Sequence, residues 1–189
     1  MDPLTHLLVV ARDGDRDALG ELVARTQPDV WRFCASIVGA SGADDAAQET
    51  YLRAWRSAHS FRAEASAKTW LLAIARRVCW DQTKKERTHT TRVVAAGPIL
   101  APSVVADHGE HVALEDLVAR LTPERRSVFF LTQVLGLSYE ETAEVCDCPV
   151  GTVRSRLARA RGDLISDVVE RDDADGSRAS DGSRASDGS

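Results

Sequence analysis

The chain has 189 residues, 43% of them apolar and 28% charged, a composition that supports a packed core in one domain or two small ones and excludes a disordered polymer. With 24 Lys and Arg against 29 Asp and Glu the formal net charge is −5, a total that speaks at first against a nucleic-acid partner. No apolar run approaches the ~20 residues of a membrane span, and Met1-Asp2-Pro3-Leu4 lacks the basic and apolar segments of a signal peptide, so a cytoplasmic protein with no membrane span is expected.

Strand signals are weak and helical periodicity is plain, so the chain reads as all-α. In chain order, helices are expected over Pro3 to Arg12, Asp17 to Val38, Asp44 to Ala58, Ala67 to Arg87, His111 to Leu121, Pro123 to Leu135, Tyr139 to Cys146 and Val150 to Val169. Thr122-Pro123 sets an N-cap before Pro at the first helical position, and Ser138 with Glu141 forms a capping box. The stretch from Thr88 is nearly uncharged and holds Gly97-Pro98, which predicts a flexible linker over residues 88–110 between two small helical domains, 1–87 and 111–170. The end of the chain repeats Asp-Gly-Ser-Arg-Ala-Ser from Asp175, offers no core-forming residue, and predicts a disordered tail over 171–189.

Split by segment, the charge is not evenly acidic. Residues 107–170 hold 12 acidic and 7 basic side chains, yet four of those seven are Arg154, Arg156, Arg159 and Arg161, with no acid between Thr152 and Gly162. An ordinary solvated helix intersperses acids for pairing four residues apart, and this one does not. Leu137 to Cys146, the turn Asp147-Cys148-Pro149 and the helix from Val150 have the form of a helix-turn-helix, whose second helix enters the major groove. At 100° per residue Val150, Val153, Leu157, Ala160 and Leu164 share the packing face. Thr152, Ser155, Arg156 and Arg159 lie opposite, with Arg154 and Arg161 at the edges where phosphates would run and Ala158 small enough for close approach to base edges.

The helix from Ala67 to Arg87 turns Ala67, Trp70, Leu71, Ile74 and Val78 one way and Arg76, Trp80, Lys84 and Arg87 the other, with Arg77 beside them. An exposed Trp among cations suits a single-stranded or unpairing nucleic acid, because any base stacks on an indole while cations hold the backbone; alone, such a face also fits a solvated surface. The helix from Ala43 to Trp55 carries Asp44, Asp45, Gln48, Glu49 and Arg53 on one face, equally compatible with a solubilising surface and with a protein-docking one. Cys34, Cys79, Cys146 and Cys148 are too scattered for a disulfide framework; Cys146-Asp147-Cys148 is half of a soft-metal site with no partner pair nearby, so no metal and no cofactor are expected.

Taken together, these motifs resemble the extracytoplasmic-function (ECF) sigma factors, promoter-specificity subunits of bacterial RNA polymerase, and within them the actinobacterial sigma-C branch. The carriers are Asp45-Ala-Ala-Gln-Glu-Thr-Tyr-Leu-Arg-Ala-Trp55, Ser60-Phe-Arg with Thr69-Trp-Leu-Leu-Ala-Ile-Ala-Arg76, Leu121-Thr-Pro-Glu-Arg-Arg126, Gly136-Leu-Ser-Tyr-Glu-Glu and Cys148-Pro-Val-Gly-Thr-Val-Arg-Ser-Arg-Leu-Ala-Arg-Ala-Arg161. The resemblance implies that Asp45, Gln48, Glu49, Leu52 and Arg53 dock on the clamp helices of the polymerase β′ subunit. Ser60, Phe61, Arg62 and Ser66 would border the loop that takes a flipped base of the −10 element, and Arg76, Arg77, Trp80 and Lys84 would hold the opening strand, the unstacking cost of a few kcal/mol being offset by pocket contacts rather than by ATP. Thr152, Arg154, Ser155, Arg156, Ala158, Arg159 and Arg161 would read the −35 duplex, the linker would thread the polymerase, and the β flap would receive the second domain. Many relatives are restrained by an anti-sigma protein, a partner class the resemblance admits without identifying one.

Two positions depart from the family's pattern: Arg77 stands where Asn is common, so the −10 base preference does not carry over, and Ala46 replaces a larger apolar residue before Gln48-Glu49. The second reading is a stand-alone helix-turn-helix regulator of duplex operators, which has no use for a Trp-bearing basic helix in the N-terminal half. An enzyme finds no support, since no His, Cys and carboxylate cluster has the spacing of a nucleophile with its base.

Overall fold

The computed structural model describes residues 1–94 and 117–181, and all regular structure among them is helical. Helix α1 (Pro3–Arg12) starts at Asp2, whose carboxylate accepts from the Thr5 N–H at 3.0 Å. Helix α2 (Arg16–Val38) is capped by Asp15 and ends at Gly39, whose φ of +81° turns the chain into α3 (Ala40–Ser57). A short 3-10 turn (Ala58–Ser60) and a loop lead to α4 (Ala67–Val94). Thr5 Oγ1 accepts from the Ala67 N–H at 2.8 Å and so pins the start of α4 to α1.

Alanines at 43, 46, 47 and 54 let α3 lie close against its neighbours, while Val30, Phe33, Cys34 and Ile37 of α2 meet Leu72, Ala75, Val78 and Cys79 of α4, all buried. Tight packing of this kind makes each large side chain costly to remove, about 2–5 kcal/mol for Leu or Phe to Ala.

In the C-terminal half, residues 117–120 are helical, Thr122 caps α5 (Pro123–Phe129), and a single π-turn spans Phe130–Val134 before Gly136, at φ +70°, reverses the chain. Helix α6 (Tyr139–Cys146) opens on the capping box: Ser138 Oγ accepts from the Glu141 N–H at 3.1 Å and the Glu141 carboxylate accepts from the Ser138 N–H at 2.8 Å. Asp147 takes the left-handed conformation (φ 51°), and α7 (Val150–Asp181) follows. Val153, Leu157 and Ala160 are buried, as the apolar spacing requires, with Val150 and Leu164 half-buried at its ends.

The two halves share one core. Phe130 packs on Phe33 with ring centroids 6.3 Å apart, and Val128, Leu131, Val145 and Cys146 join the α2 and α4 side chains in a single buried cluster. Polar ties cross the same seam: Lys68 of α4 donates to the Leu135 carbonyl at 3.2 Å while pairing with Asp29 at 2.7 Å, and Arg126 donates to the Ser36 carbonyl at 3.1 Å. Two helices outrun their expected ends. Helix α4 continues to Val94, into the stretch read as linker, because no Pro or Gly intervenes before Gly97. Helix α7 continues to Asp181, into the stretch read as a disordered tail. The rest of the linker, His111 to residue 116, and residues 182–189 lie outside the described residues.

Candidate nucleic-acid interface

On α7 the candidate DNA-reading side chains stand where the spacing puts them. Arg154, Ser155, Ala158, Arg159 and Arg161 are exposed, and Thr152 and Arg156 half-exposed. Their surroundings differ. The Arg154 guanidinium lies 5.9 Å from the Tyr139 ring centroid, Arg161 donates to Gln133 Oε1 at 3.0 Å, and Arg156 donates to Cys148 Sγ at 3.7 Å. Among the described residues Arg159 has no side-chain partner, so its guanidinium is free to engage a ligand without first breaking a bond. Ser155 Oγ donates to the Thr152 carbonyl at 3.0 Å and keeps a low profile between the arginines.

The second basic face, on α4, departs from its expectation at two points, Trp80 and Arg76, both half-buried. Trp80 is not exposed: it is half-buried, packed against the shared core, with Arg76 over its ring. Arg76 stacks its guanidinium 4.5 Å from the Trp80 ring centroid, an attraction of ~1 kcal/mol at such partly exposed sites, and its Nε is buried with no hydrogen-bond partner. Arg77 and Lys84 are exposed. In the loop before α4, Ser60 and Arg62 are exposed and Ser66 is half-exposed, joined to Thr69 by a 2.8 Å hydroxyl contact. Phe61 is buried beneath them and stacks on Trp70 at 5.2 Å, so it shapes the loop from below. Ala63 holds a positive φ of 57°, a conformation that L side chains rarely adopt and that tertiary contacts must sustain.

On α3, Asp45 and Gln48 are exposed, but Arg53 is occupied: its guanidinium bonds Glu49 and Asp81, both at 2.7 Å, and these bonds raise its pKa, Asp81 first. Sequence reasoning named Leu52 on this face and missed Trp55, one turn further on. Leu52 is 47% exposed and Trp55 48%, flanking an apolar groove lined also by Leu8, Leu19, Leu22 and Tyr51. The signal was present as two large apolar residues three apart on an otherwise polar face, the usual mark of a contact surface.

Two family matches fall on these two halves: Sigma-70 region 2 matches residues 22–89 and Sigma-70 region 4 matches residues 111–164. The ECF RNA polymerase sigma factor SigC of Mycobacterium tuberculosis is 44% identical over 184 residues, which cover 93% of this chain and 96% of that protein. The chain is an ECF sigma factor. The ECF RNA polymerase sigma-E factor of Haemophilus influenzae is 34% identical over 180 residues, with 85% of this sigma factor and 93% of that protein covered. Among solved structures, CnrH in complex with the cytosolic domain of CnrY matches with a TM-score of 0.68 at 25% identity, covering 90% of this chain and 99% of that one. The sigma factor RpoE from Bartonella quintana, in complex with the anti-sigma factor NepR, matches with a TM-score of 0.65 at 26% identity, covering 77% and 93%.

The sigma factor therefore directs transcription initiation as an alternative subunit of RNA polymerase, and the reading as a stand-alone regulator is set aside. The described residues include no helix long and apolar enough to cross a membrane and no three His, Cys, Asp or Glu side chains placed to hold one metal ion.

Proposed function

We propose that residues 1–87 engage the polymerase clamp and open the −10 element, that residues 111–170 read the −35 duplex, and that the sigma factor does so in the cytoplasm as a binding subunit without catalysis of its own. Promoter recognition rests most directly on Arg159, exposed and unpartnered on a helix whose other face buries Val153, Leu157 and Ala160. Arg159→Ala should weaken −35 binding by ~1–3 kcal/mol and relax one base position, read by competition among duplexes; equal loss on every sequence would assign the arginine to a phosphate. On the −10 side, Arg76 and Trp80 form one stacked unit that a base can extend, with Arg77 and Lys84 alongside for the backbone. Polymerase docking is assigned to Asp45, Gln48, Glu49 and Leu52 and extended to Trp55, with Arg53 holding Glu49 in place.

The shared core adds a condition. With the halves packed together, Arg76 and Trp80 are half-covered while Arg154, Arg159 and Arg161 stay exposed, so the sigma factor in this form presents the −35 reader more openly than the stacking pair of the −10 reader. An anti-sigma protein, of the kind that the RpoE relative binds, would act by holding these surfaces out of reach. Run-off transcription with purified core polymerase tests the whole reading: promoter-dependent transcripts are expected only when the protein is added, and their absence on every genomic template would sink it. Trp80→Ala should then reduce permanganate reactivity of the melted strand while leaving −35 duplex binding intact.

A further inference from the structure

Two thiols sit at the bend of the helix-turn-helix, and neither promoter reading nor polymerase docking uses them. Cys146 ends α6 and is buried in the seam; Asp147 reverses the backbone at φ 51° and ψ 54°; Cys148 follows half-exposed, its N–H returned to the Ala143 carbonyl at 3.1 Å. Cys148 opens onto a shallow surface depression that it lines together with Glu140, Glu144, Asp147, Pro149 and Val150. Its sulfur accepts from Arg156 Nη1 at 3.7 Å. The Cys146 sulfur lies within electrostatic reach of Cys148, Arg76 and Arg156; burial pushes its thiol up to about 11, against the pull of the two arginines. The other two cysteines, Cys34 and Cys79, are free thiols in hydrogen-bond contact deep in the core and are shut off from solvent.

We propose that Cys148 is an oxidation site for small neutral hydroperoxides, with Cys146 as its resolving thiol. Exposure and a guanidinium at the sulfur are what a reactive cysteine needs, and an adjacent second thiol is what makes its oxidation reversible. The three carboxylates of the depression repel anionic oxidants and leave a neutral peroxide free to enter. In the first step the Cys148 sulfur attacks the terminal peroxide oxygen; the O–O bond breaks, the sulfur is oxidised to a sulfenic acid, and the departing oxygen takes the thiol proton and leaves as water from hydrogen peroxide or as the alcohol from an alkyl hydroperoxide. In the second, the Cys146 sulfur attacks the Cys148 sulfur; the S–O bond breaks, the hydroxyl leaves as water with the Cys146 proton, and a disulfide closes across Asp147. The peroxide takes up both electrons.

The consequence for promoter binding rests on the sigma reading above. A bond across Asp147 reshapes the turn that aims α7, takes the Cys148 acceptor from Arg156, and draws Cys146 out of the seam. The test uses full-length protein exposed to hydrogen peroxide, cleared of oxidant, and then divided. Mass spectrometry should find the peptide spanning residues 146–148 lighter by two hydrogens while Cys34 and Cys79 remain thiols. Duplex binding at the −35 element and run-off transcription with untreated core polymerase should both fall severalfold and return on reduction with dithiothreitol. Cys148→Ser should retain reduced-state transcription and lose the peroxide response. Oxidation of Cys34 or Cys79 ahead of Cys148, or a disulfide that leaves −35 binding unchanged, overturns the proposal. If the reduced protein drives no transcription the sigma reading fails instead, and the mass measurement still decides the thiol chemistry.

Discussion

Buried polar side chains show most clearly how single residues constrain this fold. Thr26 Oγ1 donates to the Leu22 carbonyl at 2.7 Å and accepts from the Tyr51 hydroxyl at 2.8 Å, so the phenol is held protonated between α2 and α3. Burial pushes Tyr51 up to about 12, with the charges of Cys34 and Asp29 adding to the rise. An unfolded tyrosine titrates near 10, so the stability this site contributes is fully present below about pH 10 and is lost as pH rises toward 12. Urea denaturation across that range should show wild type losing stability faster than Tyr51→Phe, and parallel pH profiles would refute the assignment. Arg126 carries a different cost. Burial lowers its pKa, and the carbonyls of Ser36, Ala119 and Leu121 compensate the charge. Arg126→Met should destabilise by ~2 kcal/mol, since three acceptors lose a charged donor. The types of these residues are plain in the sequence, whereas their partners are not: Ser36 lies ninety positions from Arg126, and no periodicity joins them.

At the scale of elements, helix starts were legible because capping is local chemistry. Ser138 with Glu141 and Thr122 before Pro123 identify their boundaries from four residues each, and α1 and α6 occur over the spans expected. Ser138→Ala should cost ~1 kcal/mol in urea denaturation, because the Glu141 N–H loses its acceptor while the Arg159 face is untouched. Ends without a stop signal were read too short, as for α4 and α7, since periodicity fades before the backbone stops being helical. The π-turn at Phe130–Val134 left no trace in the sequence. Phe130, at its start, packs on Phe33 of the other half of the molecule.

At the scale of the whole molecule, the sequence separates two helical halves but is silent on their shared core. Val128, Leu131 and Val145 read as ordinary interior residues of a small domain, and only the fold shows that they complete a cluster with α2 and α4. Trp80, which reads as exposed, packs half-buried against that cluster. Lys68 is the polar tie most open to manipulation, because it bonds across the seam to the Leu135 carbonyl and pairs with Asp29 without entering either DNA-reading face. Lys68→Glu sets a carboxylate against both acceptors, and a loss of ~1.4 kcal/mol across the seam corresponds to a tenfold shift toward separated halves. Affinity of the free sigma factor for single-stranded −10 DNA should rise by up to that factor, because Arg76 and Trp80 are uncovered. Affinity for −35 duplex should not change, because the α7 arginines are exposed already. Fluorescence anisotropy with the two DNAs separates these outcomes. A rise on both would point to a general gain in DNA affinity, and no rise on single strands would mean that the seam does not limit access to the −10 face.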